Sequence, residues 1–117
     1  MRPLADVHYE MLDGVLVARL EGEIDMSNAD ELGAAITARV RSDALALVLD
    51  LAAVDYLDSA GIAVLYELRE RLRLRGQQIR LVLPADSPVG AALQYADVPR
   101  TIGAADTVPA AIADLEG

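Results

Sequence analysis

Residues 45–51 are apolar at every position except Asp50, and this run constrains the fold more than any other stretch of the chain. Side chains alternate between the two sides of a sheet, so a strand of this kind has to be covered on both faces. It therefore reads as the central strand of a layered protein. Within 117 residues the material for that cover is aliphatic, because the only aromatic residues are four Tyr. Leu, Val, Ile and Ala favour layered α/β packing over a sandwich built on aromatic anchors.

The flanking segments supply the other layers. Val7, Tyr9 and Met11 alternate with His8, Glu10 and Leu12, and residues 15–21 form a second strand-like run. Asp13-Gly14 lies between them, and both positions of a tight hairpin turn need positive φ, which this pair tolerates. Gly22-Glu23-Ile24-Asp25 reads as a break. A helix is expected next, with Asn28 and Glu31 at capping-box spacing, Ser27 as the alternative cap, and Leu32, Ile36 and Val40 on its inner face. After the central strand, residues 52–58 read as a connection. A second helix begins near Ser59, turns Ile62, Leu65, Leu68 and Leu72 inward, and ends at Gly76. Arg69, Arg71, Arg73 and Arg75 sit near its negative end and read as solvated charges.

Residues 79–83 read as another strand. Ser87-Pro88 reads as a cap followed by proline at the first helical position, with Val89 and Leu93 on that helix. Thr101-Ile102 reads as a short edge strand, and Asp106 opens a last helix running to Leu115. The expected fold is α/β, a mixed sheet of four to five strands with an N-terminal β-hairpin and about four helices. Apolar periodicity runs nearly end to end, so residues 1–117 are expected to form one domain.

Charge and composition narrow the function classes. The formal net charge is −9, which disfavours nucleic acid and anionic membranes as partners. All ten basic residues are Arg, and there is no Cys to hold a disulfide or a thiolate metal site. Residues 1–5 do not form a basic region followed by an apolar stretch, so no secretory leader is expected. No apolar run approaches the length of a membrane span. The cytoplasm is the expected compartment, and no cofactor is expected.

In an open α/β sheet, functional groups gather beyond the carboxyl ends of the strands. Glu23-Ile24-Asp25 and the segment from Asp55 to Gly61 occupy such places. If their strands are neighbours, Asp25 and Ser59 come close together. Ser59 admits two compatible readings. Either it or Asp58 caps the helix, and a helix start can also accept a phosphate. Other chemistries fit less well. Asp25, Asp50, Asp55 and Asp58 do not by spacing alone make a metal site. Asp50 ends a buried strand, as in a phosphoaspartate receiver, but the chain has no Lys to complete that site. A serine hydrolase would have only His8 as base, on the first strand and far from Ser59 in sequence.

Gly22-Glu23-Ile24-Asp25, residues 47–51, residues 54–65, residues 76–82 and Ser87-Pro88-Val89 together resemble the anti-sigma factor antagonist family, the STAS domain. The likeness covers nearly the whole chain in order, and Asp58-Ser59-Ala60-Gly61 is its most specific part. The resemblance implies that Ser59 is phosphorylated by an anti-sigma factor that is also a serine kinase, and that a phosphatase reverses this. It implies supporting or partner-binding roles for Glu23, Asp25, Asp58, Ala60, Gly61, Ile62 and Tyr66, and no catalytic or metal-binding residue. Tyr56 and Tyr66 flank the switch as candidate anchors. Ala60 departs from the many members that carry a second hydroxyl there, which singles out Ser59. The alternative within the fold is a phosphorylation-independent adaptor of a stress-sensing or lipid-transport assembly.

Overall fold

The computed structural model describes residues 5–116. Residues 1–4, which carry most of the leader reading, and Gly117 lie outside the described residues. The elements run β1 (Ala5–Leu12), β2 (Val15–Ile24), α1 (Ala29–Arg39), β3 (Ala46–Leu57), α2 (Ser59–Leu74), β4 (Gln78–Val82), α3 (Gly90–Tyr95), α4 (Val98–Ile102), β5 (Ala104–Ala105) and α5 (Val108–Glu116). The five strands lie side by side in chain order. Only β1 and β2 are antiparallel, and the remaining neighbours are parallel. This is the expected mixed α/β sheet with its N-terminal hairpin. Asp13 at φ 53° and Gly14 at φ 79° close the hairpin with positive φ at both turn positions, as that turn requires.

The apolar run that anchors the sequence reading is the centre of the molecule. Leu47, Leu49 and Leu51 face a core shared with α1, α2, α3 and α4. Ala46 and Val48 face the other side, where Ala111 and Ile112 of α5 cover them with Val15 and Val17 of β2. Burying each large aliphatic side chain contributes roughly 1.5–3 kcal/mol, and most of that burial lies on the four-helix face.

Several elements differ from the sequence expectation. β2 and β3 both continue through segments that read as a break and a connection, because the two strands pair with each other to Ile24 and Leu57. Register shifts between Arg19 and Glu21 and between Gly22 and Glu23 let them do so. β4 pairs with β3 only as far as Asp50, so the last residues of β2 and β3 project as a two-stranded arm. Leu45 lies outside β3 and is exposed.

Thr101 and Ile102 end α4 instead of forming the edge strand, which is Ala104–Ala105. Val98 and Ile102, one helical turn apart, are both buried, and that burial favours helix over strand. Pro88 lies before α3, which starts at Gly90, and α5 is capped by Thr107, whose Oγ1 accepts from the N–H of Ala110. Among the described residues there are five helices, one more than expected, because α3 and α4 are separate.

Asp50 lies within the long β3 and does not end it. Its Oδ1 accepts from the N–H of Ala52 at 3.0 Å, and its Oδ2 lies 3.5 Å from Nε of Arg19. These are the residues flanking the register shift, so this carboxylate fastens the irregular stretch from which the arm extends. Asp50→Ala is expected to lower stability by about 1–3 kcal/mol, since it removes the acceptor of a charge-assisted hydrogen bond and the anion beside Arg19. Arg19→Ala, at a half-exposed partner, is expected to cost less than about 1 kcal/mol. Urea unfolding of both variants checks the order, and equal losses would show that the ion pair and not the Ala52 contact holds the bulge.

Candidate functional site

The arm brings the two loops together, as expected if β2 and β3 were neighbours. Ile24 pairs with Leu57, so the residues just beyond them leave the sheet side by side. The N–H of Asp58 donates to the carbonyl of Ile24 at 3.2 Å. Asp58 then divides its carboxylate. Oδ1 accepts from the N–H groups of Ala60 at 2.9 Å and Gly61 at 3.1 Å, capping α2. Oδ2 accepts from the N–H of Met26 at 3.2 Å, across to the other loop. Of the two cap candidates, Asp58 takes the role.

Ser59 is therefore left free. It is the first residue of α2, it is exposed, and among the described residues its hydroxyl makes no hydrogen bond. Ala60, Ile62 and Tyr66 are partly buried and pack against the larger core. Gly61 is buried, and its position leaves no room for a side chain. A Cβ there would lie 2.8 Å from Cγ of Leu57 and 3.2 Å from Cγ2 of Ile24. The glycine thus lets the first turn of α2 sit directly on the ends of both arm strands.

The loop after β2 is tied within itself. Asp25 Oδ1 accepts from both the N–H and the hydroxyl of Ser27. These bonds, the hydroxyl foremost, hold the Asp25 carboxyl below its ordinary pKa. Asn28 does not cap α1 with its side chain as expected. Its Oδ1 accepts from the N–H of Asp25 at 2.9 Å, and its Nδ2 donates to the carbonyl of Glu23 at 2.9 Å. The amide spans the loop because it accepts at Oδ1 and donates from Nδ2, two atoms set apart, where a hydroxyl would have to do both from one. Asp25 thus reaches the Ser59 region through its neighbour Met26 and not through its own carboxylate.

Met26 is 83% exposed and Tyr56 50% exposed, and both lie at this end of the sheet. The sequence reading named Tyr56 but missed Met26 and Asn28. A lone Met carries no pattern, and Asn28 was assigned to the commoner capping role. Glu23 and Asp55 are exposed on the arm. The surface round Ser59 is accordingly acidic, with two large side chains open to a partner. Among the described residues no group of His, Asp or Glu converges as a metal site, and no helix is long and apolar enough to cross a membrane.

A family model described as the STAS domain matches residues 6–111. The crystal structure of an anti-sigma factor antagonist from Mycobacterium paratuberculosis superposes over 97% of this chain and 95% of that one, with a TM-score of 0.79 and 31% identity. BtrV of Bordetella bronchiseptica, provisionally named an anti-sigma factor antagonist, is 38% identical over 64 residues. RsfB of Mycobacterium tuberculosis, named an anti-sigma-F factor antagonist, is 36% identical over 77 residues. These two matches take in 55% and 66% of this chain but only 55% and 61% of the curated relatives.

The Bacillus protein SpoIIAA shares the fold. Its unphosphorylated form has a TM-score of 0.75 at 19% identity, covering 96% of this chain and 97% of that one. Its phosphorylated form has a TM-score of 0.64 at 21% identity, covering 94% and 99%.

Two outcomes are expected of this geometry. Gly61→Ala should cost about 1–3 kcal/mol through overpacking against Leu57, read by thermal or urea unfolding, and a neutral result would mean that the arm yields freely. Ser27→Ala should raise the Asp25 pKa toward its ordinary value. Because that pKa is depressed in the folded protein, the stabilisation from these bonds is present above the unfolded value and is lost as pH falls through the folded one. Carboxyl-detected NMR titration of both proteins checks this.

Proposed function

The chain belongs to the STAS domain family, and from that premise we propose that it is an anti-sigma factor antagonist of the cytoplasm, a regulator that binds a partner and catalyses nothing. In this reading the unmodified protein binds an anti-sigma factor with serine kinase activity and so frees a sigma factor. Phosphorylation of Ser59 ends the interaction, and a phosphatase restores it. Glu23, Asp25, Asp58, Ala60, Gly61, Ile62 and Tyr66 support the switch or meet the partner, with Met26 and Tyr56 as exposed anchors.

One observation carries the reading: Ser59 stands exposed at the start of α2 with its hydroxyl unengaged, while Asp58 does the capping. A phosphoacceptor has to reach a kinase active site, and a hydroxyl bonded into the helix end would first have to be released. The names of the relatives and the existence of SpoIIAA in two phosphorylation states agree with it.

The same cap explains how a phosphate would act. A helix start ordinarily welcomes phosphate through its free N–H groups. Here the N–H groups of Ala60 and Gly61 are already given to Asp58. A phosphate on Ser59 therefore gains little from them and adds about −1.5 to −2 charge to a surface that already carries Glu23, Asp25, Asp55 and Asp58. Like charges pressed together at an interface cost several kcal/mol, and about 3 kcal/mol is a factor of roughly a hundred in affinity. A large conformational change is not needed.

The test begins with protein from its own cells. Trypsin releases residues 42–69 as one peptide, and fragment-ion mass spectrometry distinguishes Ser59 from Ser42, Tyr56 and Tyr66 within it. Phosphate is expected on Ser59. Protein carrying Ser59→Asp is expected to bind the anti-sigma factor about a hundredfold more weakly than wild type, and Ser59→Ala to bind normally. Binding of Ser59→Asp at wild-type strength, with no phosphate found in any growth condition, would favour the phosphorylation-independent adaptor instead.

A further inference from the structure

Ten arginines stand against nineteen acidic residues in this chain, and among the described residues only Arg19, Arg41 and Arg73 form salt bridges. Four arginines gather along the edge where α2, β4, α4 and β5 meet. Arg69, Arg73 and Arg80 line a hollow of about 220 Å³ with Gln77 and Thr101. Arg80 and Arg100 line an adjoining hollow of about 540 Å³. Arg80 and Thr101 belong to both, so the two form one trough open to solvent.

The charges there are largely unspent. Among the described residues Arg69, Arg80 and Arg100 form no salt bridge, and only Arg73 has one, to Glu70. Asp114 is the one acidic residue in the wall of either hollow. The placement of Arg80 is built into the backbone. A Cβ on Gly103 would lie 3.0 Å from its Cδ and 3.1 Å from its Nε, so this glycine gives the arginine stem the space to lie across the junction. Arg80 also donates from Nη1 to the carbonyl of Ile79, which orients the guanidinium.

We propose that this trough is a docking surface for an extended acidic peptide segment of a partner protein, separate from the surface round Ser59. The Arg73–Glu70 pair shows the mode of recognition, with Nε and Nη2 of the arginine bound to the two carboxylate oxygens at 2.9 and 2.6 Å. Arg69 and Arg73 are one helical turn apart, roughly 6 Å. Arg73 is already held by Glu70, so the cations left for a segment lying along the trough are Arg69 on α2, Arg80 on β4 and Arg100 on α4. An extended chain, whose alternate side chains repeat at about 6.7 Å, presents acidic groups to more than one of them. The trough is also open along its length. Sites for small ligands enclose most of the ligand surface, and these walls do not.

The test is an amide NMR titration of the full chain at low salt with a blocked dodecapeptide of alternating Glu and Ala. Shifts are expected within residues 69–80 and 99–104, and not at Ser59. Arg69→Ala with Arg100→Ala should weaken binding by about tenfold, as expected for loss of charge-assisted contacts. Arg41→Ala with Arg71→Ala removes the same charge outside the trough and should leave affinity unchanged. Equal losses in the two double variants, or shifts scattered over the surface, would reduce the effect to net charge and overturn the proposal. So would inorganic tripolyphosphate moving the same amides at lower concentration than the peptide, which would make the trough a small-anion site. None of these readouts depends on Ser59, so this surface and the phosphorylation switch can fail separately.

Discussion

The carboxylate of Asp58 is the joint on which the functional end of the molecule depends. With one oxygen it satisfies two N–H groups at the start of α2, and with the other it takes the N–H of Met26 from the loop after β2. Its own N–H holds the end of β2. A helix start, a strand end and a loop are thereby fixed to one residue. Because the cap is supplied by Asp58, the neighbouring serine is not needed for that cap. A serine that served as the cap could not change state without loosening the helix, at a cost of about 1 kcal/mol or more. If Ser59 is the phosphoacceptor proposed above, this division between adjacent residues separates stability from signalling.

The arm that carries this joint is held from beneath by aliphatic packing. Leu57 and Ile24 form the platform, and Gly61 lets α2 descend onto it. Deeper in the sheet, Asp50 secures the irregular stretch that allows β2 and β3 to keep pairing after β4 has ended. The acidic residues round Ser59 therefore stand on a packed support. Charge added to that surface acts mainly on whatever approaches it, and less on the fold beneath.

How much of this was legible in the sequence depended on whether the signal was local. Asp13-Gly14 specifies its turn by itself, and the apolar run through residues 46–51 specifies a doubly covered strand by itself, so both were readable. The arm was not. Asp55 and Tyr56 look like loop residues, and they become strand only because Glu23 and Ile24 lie beside them after two register shifts. Thr101-Ile102 has strand-like residues, yet burial of Val98 with Ile102 makes it helix. Asp58 and Ser59 were both credible caps from local sequence, and geometry chose between them. Asn28 had the spacing of a cap but was drawn to a carbonyl and an N–H in its own loop. In each case the deciding partner was distant in sequence or unmarked by pattern.

Helix α2 also sets the relation between the two surfaces. Ser59 begins it, and Arg69 and Arg73 lie ten and fourteen residues further on, which at 1.5 Å per residue places them about 15 and 21 Å away along its axis. Screening at physiological ionic strength falls off over about 8 Å. A phosphate at Ser59 is therefore felt strongly at its own acidic surface and weakly at the arginine trough. The two ends of the helix carry opposite local charge, so in the proposed reading a partner released at the first surface leaves affinity at the second largely unchanged. The strong excess of acid over base in this chain is thus unevenly placed, and where the arginines cluster bears on association as much as the net charge does.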